Sequence, residues 1–248
     1  MVDDLDLDYS RLEDPTKEQK IYTGEYTYFN KNIAFAEEMF NVFRNKEKKS
    51  LKFTCNILGR SPSGELLNVH VSFLVGQDFV PINVEIKRHI GDDNVVELFK
   101  YDEKENRLKY IFKSKSNRQV KELKTPPRFH INTPATAPSM IFILSKKFDH
   151  RIDNTYTSYQ SLNKWDYEKP LAQRELSLKR ATVAAEKLEL DGHHLDASHY
   201  YLASGKKDSQ YVNQESNNYI ETFLSPYHSI PYLIKDDEGL KIQIKKLQ

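Results

Sequence analysis

Asn68-Val69-His70-Val71-Ser72-Phe73-Leu74-Val75, then Gly76-Gln77-Asp78, then Ile82-Asn83-Val84-Glu85-Ile86-Lys87 is the stretch that decides the fold class. Val69, Val71, Phe73 and Val75 alternate with Asn68, His70, Ser72 and Leu74. Ile82, Val84 and Ile86 alternate with Asn83, Glu85 and Lys87. Successive side chains of a strand point to opposite faces, so each run offers one row to a core and the other to water. The short Gly76-Gln77-Asp78 connection makes the two runs antiparallel neighbours.

The pattern repeats outward. Leu51, Phe53, Cys55 and Ile57 alternate upstream, and Leu108, Tyr110 and Phe112 downstream. Gly91-Asp92-Asp93 and Glu103-Lys104-Glu105-Asn106 separate further runs, while Asp191-Gly192 and Glu238-Gly239 read as tight hairpin turns. No helical pattern intervenes between residues 50 and 120, which argues against parallel βαβ units. The 15 Tyr and 13 Phe suit strands. Further short strands are expected over 154–160, 165–167, 180–190, 195–203, 219–225, 230–235 and 240–245. The polar, aperiodic 205–217 is expected to be an exposed loop.

Two places break the rhythm. In 30–44, Ile33, Ala36, Phe40 and Phe43 make a helical stripe, but Ile33, Phe35, Glu37 and Met39 make a strand row. Asn30-Lys31-Asn32 after the run at 21–29 reads as a turn, so a long hairpin is expected. In 125–147, Pro126, Pro127, Pro134 and Pro138 forbid a regular central strand. Pro138-Ser139 ahead of Met140–Leu144 and Lys146-Lys147 predicts a helix over about 137–147 that lays Met140, Ile143 and Leu144 onto the sheet. The fold class is therefore mainly β: one large curved antiparallel sheet, a half-barrel of consecutive hairpins, with one short covering helix near 137–147. Residues 1–20, with four aspartates in the first eight positions, read as a flexible acidic arm ahead of a single domain over 21–248.

The composition excludes several function classes. The 248 residues carry 37 basic and 36 acidic side chains, a net charge of +1, so the bulk charge of a nucleic-acid binder is absent. Glu47 dilutes the Lys46–Lys49 cluster and Glu122 dilutes the one over 113–124; both read as solvated hairpin ends. The single Cys55 rules out a disulfide framework and, lying on an apolar row, reads as structural. The longest apolar run, Met140–Leu144, is far short of the roughly 20 residues of a membrane helix, so no membrane span is expected. The start lacks a basic leader. The chain as it stands reads as cytoplasmic, or as an envelope protein if it is a mature or trimmed form.

No catalytic signature stands out. There is no Gly-x-Ser-x-Gly elbow and no phosphate loop. His193 and His199 share a strand face but stand about 20 Å apart, while His194 and Asp196 share the other face and supply two ligands only. Neither metal nor cofactor is expected. Glu37 and Glu38 point to opposite faces, and an inward one would call for an Arg or Lys partner. Trp165 with Tyr156, Tyr159 and Tyr167 reads either as core or as the lining of an aromatic cleft.

The order of features resembles a known architecture. A strand with Gly24 leads into Asn32-Ile33-Ala34-Phe35-Ala36-Glu37. Consecutive hairpins follow, then Ala137-Pro138-Ser139-Met140-Ile141, Leu188-Glu189-Leu190-Asp191-Gly192 and Ala197-Ser198-His199-Tyr200. The end is Ser225-Pro226-Tyr227-His228-Ser229-Ile230-Pro231-Tyr232-Leu233-Ile234 and Glu238-Gly239. This resembles an uncharacterised bacterial family of curved antiparallel half-barrels, similar in shape to lipoprotein-carrier and glycolipid-binding folds. The resemblance covers 21–248 and implies no catalytic residues. It implies a concave apolar face that something must cover.

The leading expectation is a non-enzymatic binding protein for a hydrophobic or amphiphilic, lipid-like ligand. Its walls would include Phe73, Val84, Phe99, Met140, Ile143, Trp165 and Tyr201. One alternative is a scaffold with a self-filled core that recruits a protein partner through a sheet edge or the 205–217 loop. The other is a metal-dependent hydrolase using His194 and Asp196.

Overall fold

The computed structural model describes residues 17–60, 64–149, 153–161, 171, 173–204, 219–226 and 229–248. Eight strands first run as consecutive hairpins. They are β1 Glu18–Asn30, β2 Ile33–Asn45, β3 Ser50–Arg60, β4 Leu66–Val75, β5 Pro81–Ile90, β6 Asp93–Asp102, β7 Arg107–Ser114 and β8 Arg118–Lys124. The chain then crosses the sheet through β9 His130–Asn132 and a 3-10 helix at Ile141–Ser145. The remaining strands are β10 Asn154–Gln160, β11 Gln173–Arg180, β12 Glu186–Leu190, β13 His193–Ser204, β14 Ile220–Leu224, β15 Pro231–Lys235 and β16 Leu240–Leu247.

All belong to one curved, unclosed, sixteen-stranded sheet ordered β8-β7-β6-β5-β4-β3-β2-β1-β16-β15-β14-β13-β11-β10-β9, with β12 paired to β13. The first and last strands are neighbours, with Tyr28 opposite Ile242. Every pairing is antiparallel except β9 with β10. The edge strands are β8 and β9. The basic cluster over 113–124 thus contains an edge strand, whose charges discourage pairing with another chain.

Residues 30–44 are a hairpin. Lys31 and Asn32 both take positive φ, 48° and 67°, as a tight two-residue turn requires. The inward row Ala36, Glu38, Phe40 and Val42 then alternates with outward Phe35, Glu37 and Met39. Inward rows meet across the sheet: Phe53 opposes Phe73, Phe73 opposes Val84, Val84 opposes Phe99 and Phe99 opposes Tyr110. Each fully buried Val or Phe in such a row contributes about 1.5–3 kcal/mol. Gly24 is needed where the Phe40 ring lies over β1, since a Cβ there would stand 2.5 Å from Phe40 Cζ.

Three expectations on the elements need correction. The helix over 137–147 is a turn followed by the five-residue 3-10 helix Ile141–Ser145, with no side-chain cap. Its three-residue turn buries Met140, Ile141 and Phe142, whereas Leu144 is exposed. The single strand over 180–190 splits: β11 ends at Arg180, and Ala181 N bonds His199 O before β12 begins. Residues 18–20 belong to β1 rather than to an arm. Residues 1–16, the expected strand 165–167 and the expected loop 205–217 lie outside the described residues. Among the described residues no helix is long and apolar enough to cross a membrane.

Candidate functional site

The concave face has two regions. Over the first half of the sheet the chain fills its own hollow: Phe129, Ile131, Ala135, Ala137, Ile141 and Tyr159 join one cluster with the strand residues. Phe73, Val84 and Phe99 are wholly buried here. Over the second half a separate, smaller cluster forms. Tyr156, Leu176, Leu178, Tyr200 and Leu224 come from β10, β11, β13 and β14, while Met140 and Phe142 come from the crossing segment, with Ile143 packed alongside. Tyr156 opposes Leu176, Leu178 opposes Leu202 and Tyr200 opposes Thr222, so these strand residues share one inward row. They line a trough covered by Met140, Phe142 and Ile143 of segment 135–145, whose Ala135, Ala137 and Ile141 pack on the first half instead.

The upstream end of the cover is latched to β2 by Glu38. This carboxylate is fully buried and accepts bonds from Thr136 N at 2.7 Å and Ala137 N at 3.2 Å. The Tyr28 hydroxyl donates to it through a short bond and lies 2.8 Å from Thr136 Oγ1. Burial pushes the Glu38 pKa up, and these hydrogen bonds partly offset the rise. The inward Glu38 therefore meets hydroxyl and amide donors, not the expected Arg or Lys. Outward Glu37 reaches Lys245 at 3.7 Å. Cys55, opposite Phe40, is buried, and burial followed by the neighbouring Glu38 pushes its thiol pKa well up. It is an inert packing residue.

A second buried polar group ties β10 to the first half. Glu97 accepts Arg88 Nη1 at 2.6 Å, Ser161 Oγ at 2.6 Å and Tyr110 OH at 2.8 Å. The Glu97 carboxylate is thus well satisfied.

The trough is not. His130 is buried with both ring nitrogens lacking a hydrogen-bond partner among the described residues, its ring 5.7 Å from Phe73 and 4.9 Å from Phe142. Burial pushes its pKa down to about 3, so the imidazole is neutral. Ser158, directly beside it in the β9–β10 register, is fully buried and its hydroxyl lacks a partner among the described residues. Among the described residues the hydroxyls of Tyr156 and Thr222, on the same inward row, lack one too. An unpaired buried polar group costs about 1–3 kcal/mol, so four such side chains on one surface are conspicuous.

The other sequence-selected residues lie elsewhere. Met140 and Ile143 belong to the cover. Trp165 lies outside the described residues. Tyr201 stands on the outward row, opposite Lys179, in an open cleft of about 240 Å³ with Tyr219. That is a correction to its expected place on the concave wall. Both parities of β13 carry large side chains, so alternation did not fix which faced inward. Asp196 pairs with Lys187 at 2.7 Å. His199 stacks on Phe223 at 4.1 Å with Glu186 3.3 Å from Nδ1. Among the described residues no three His, Cys, Asp or Glu side chains converge as a metal site. Reading the sequence missed His130, Ser158 and Thr222; the strands His130–Asn132 and Asn154–Gln160 are short and polar, so no apolar row marks their inward parity.

No family model matches the chain, and no curated protein matches it. A solved structure does: the crystal structure of a beta-barrel-like protein of domain of unknown function DUF1849 from Brucella abortus. The two are 8% identical over 92% of this chain and 96% of that one, with a TM-score of 0.53. At that identity the likeness carries the fold and no more. It fits a curved, barrel-like sheet of uncharacterised bacterial type.

Proposed function

We propose that this half-barrel is a non-enzymatic binding protein that holds a hydrophobic or amphiphilic, lipid-like molecule in the second-half trough, with residues 135–145 as an exchangeable cover. The observation that carries the reading is the inward row of buried polar groups without a partner among the described residues: His130, Tyr156, Ser158 and Thr222. An apolar floor interrupted by a few such groups is the composition of a small-molecule site. The cover is an uncapped 3-10 helix latched upstream by a buried carboxylate, so its release costs less than opening the strand ladders. The test is titration with a medium-chain alcohol, followed by calorimetry and amide exchange. Binding with faster exchange over 136–145 and unchanged exchange in β3–β7 is expected. Absence of binding and of any change in exchange overturns the reading.

A second reading, a scaffold with a self-filled core, is favoured by the complete burial of Phe73, Val84 and Phe99 under the chain's own segment. It expects the cover to stay protected under every amphiphile tried, and a protein partner to bind without shifting it.

A further inference from the structure

Where the cover meets β10, a cavity of about 100 Å³ is lined by Arg128, Phe129, Phe142, Lys146, Tyr156 and neighbouring hydroxyl residues. Two of its walls are cationic. Lys146 Nζ donates to Thr155 O at 2.5 Å and lies 4.3 Å from the centre of the Tyr156 ring. Arg128 is exposed and makes no hydrogen bond or ion pair among the described residues. No carboxylate among them comes within ion-pair distance of Lys146 either. Burial, followed by the charge of Arg128, holds the Lys146 pKa below its ordinary value. Two like charges sharing one small cavity repel each other, and an anion between them relieves both. The remaining walls are the rings of Phe129, Phe142 and Tyr156 and the hydroxyl residues Ser145, Thr155 and Thr157, and two of the rings, Phe142 and Tyr156, also belong to the trough. The cavity therefore sets two cationic side chains beside rings that also face the trough.

We infer that this cavity takes the anionic end of the bound amphiphile, an oxyanion seated between Arg128 and Lys146, with its chain running past Phe142 and Tyr156 into the trough. The inference rests on the trough reading above. Charge-assisted bonds of this kind are worth about a tenfold preference or more.

The test is calorimetry on the full chain near neutral pH with decanoate, decyl phosphate, decanol and inorganic phosphate. Decanoate or decyl phosphate should bind at least about tenfold more tightly than decanol, and whichever is tighter names the headgroup. Arg128→Gln and Lys146→Gln should each remove most of that preference and leave the affinity for decanol unchanged. Arg128 makes no bond within the described protein, so its replacement does not threaten the fold. Equal binding of acid and alcohol, or a preference that survives both substitutions, overturns the anionic mouth and leaves the trough standing. Inorganic phosphate binding as tightly as decyl phosphate overturns it in favour of a free-anion site. If none of the three decyl compounds binds, the trough and its mouth both fall.

Discussion

Replacing His130 with phenylalanine isolates the energetic consequence of the polar row under the cover. The ring packs against Phe73 and Phe142, and its nitrogens have no hydrogen-bond partner among the described residues. Its pKa falls from the ordinary 6.5 to about 3 on folding. Between those values the unfolded chain binds a proton that the folded chain does not. Stability tied to this group is therefore present at neutral pH and is lost as the pH falls below the unfolded value. At about pH 4.5 the loss relative to neutral pH is about 2.5 kcal/mol, from about two pH units at ~1.36 kcal/mol each less a small remainder at neutral pH. His130→Phe removes the titration while keeping an aromatic ring in the slot. Urea unfolding of both proteins at about pH 7 and pH 4.5 gives a double difference in which carboxylates common to the two cancel. The variant should lose about 2.5 kcal/mol less than the parent over that interval. Any strain from the slightly larger ring is pH-independent and drops out. If parent and variant lose stability equally, the buried neutral imidazole is not as described.

The other predictions concern the latch and the packing. Gly24→Ala should cost about 1–3 kcal/mol in urea unfolding because its methyl meets the Phe40 ring; Phe40→Leu in the same chain should recover part of the loss. Glu38→Gln should weaken the hold on Thr136 and Ala137 and speed their amide exchange about tenfold or more, with exchange in β3–β7 unchanged. Because burial raises the Glu38 pKa, the stability tied to this group grows as the pH falls through its folded value, and Glu38→Gln should remove that component. Cys55 should resist a thiol reagent in the native protein and react fully once urea unfolds it. Arg88→Met should cost about 3–5 kcal/mol by leaving Glu97 buried without its cation, and adding Glu97→Gln should recover part of it.

Much of the fold was legible in the residues. The parities of Val69, Val71 and Phe73, and of Leu108, Tyr110 and Phe112, named the inward row strand by strand. The turns at Gly76-Gln77-Asp78 and Gly91-Asp92-Asp93 gave the hairpin order. The site was less legible. Ser158 and Thr222 are small polar residues that look the same in sequence whether they face water or a trough. His130 follows four residues rich in proline, where no period exists to read. The position of Tyr201 was ambiguous because Tyr200 and Leu202 are as large and apolar as it is.

Alternation is a consequence of backbone geometry within a few residues. The sequence by itself therefore determined the β class, the consecutive antiparallel hairpins, the opposite facing of Glu37 and Glu38, and the buried row containing Cys55. Which strands finally adjoin is a different matter. The pairing of β1 with β16 and the parallel contact of β9 with β10 depend on chain closure over long separations and on faces that fit only once assembled. The tertiary structure alone decided that the segment after the prolines would fold back as a cover, that backbone amides would meet the Glu38 carboxylate, and that Arg128 and Lys146 would share one cavity. Each of those joins groups that no local period connects.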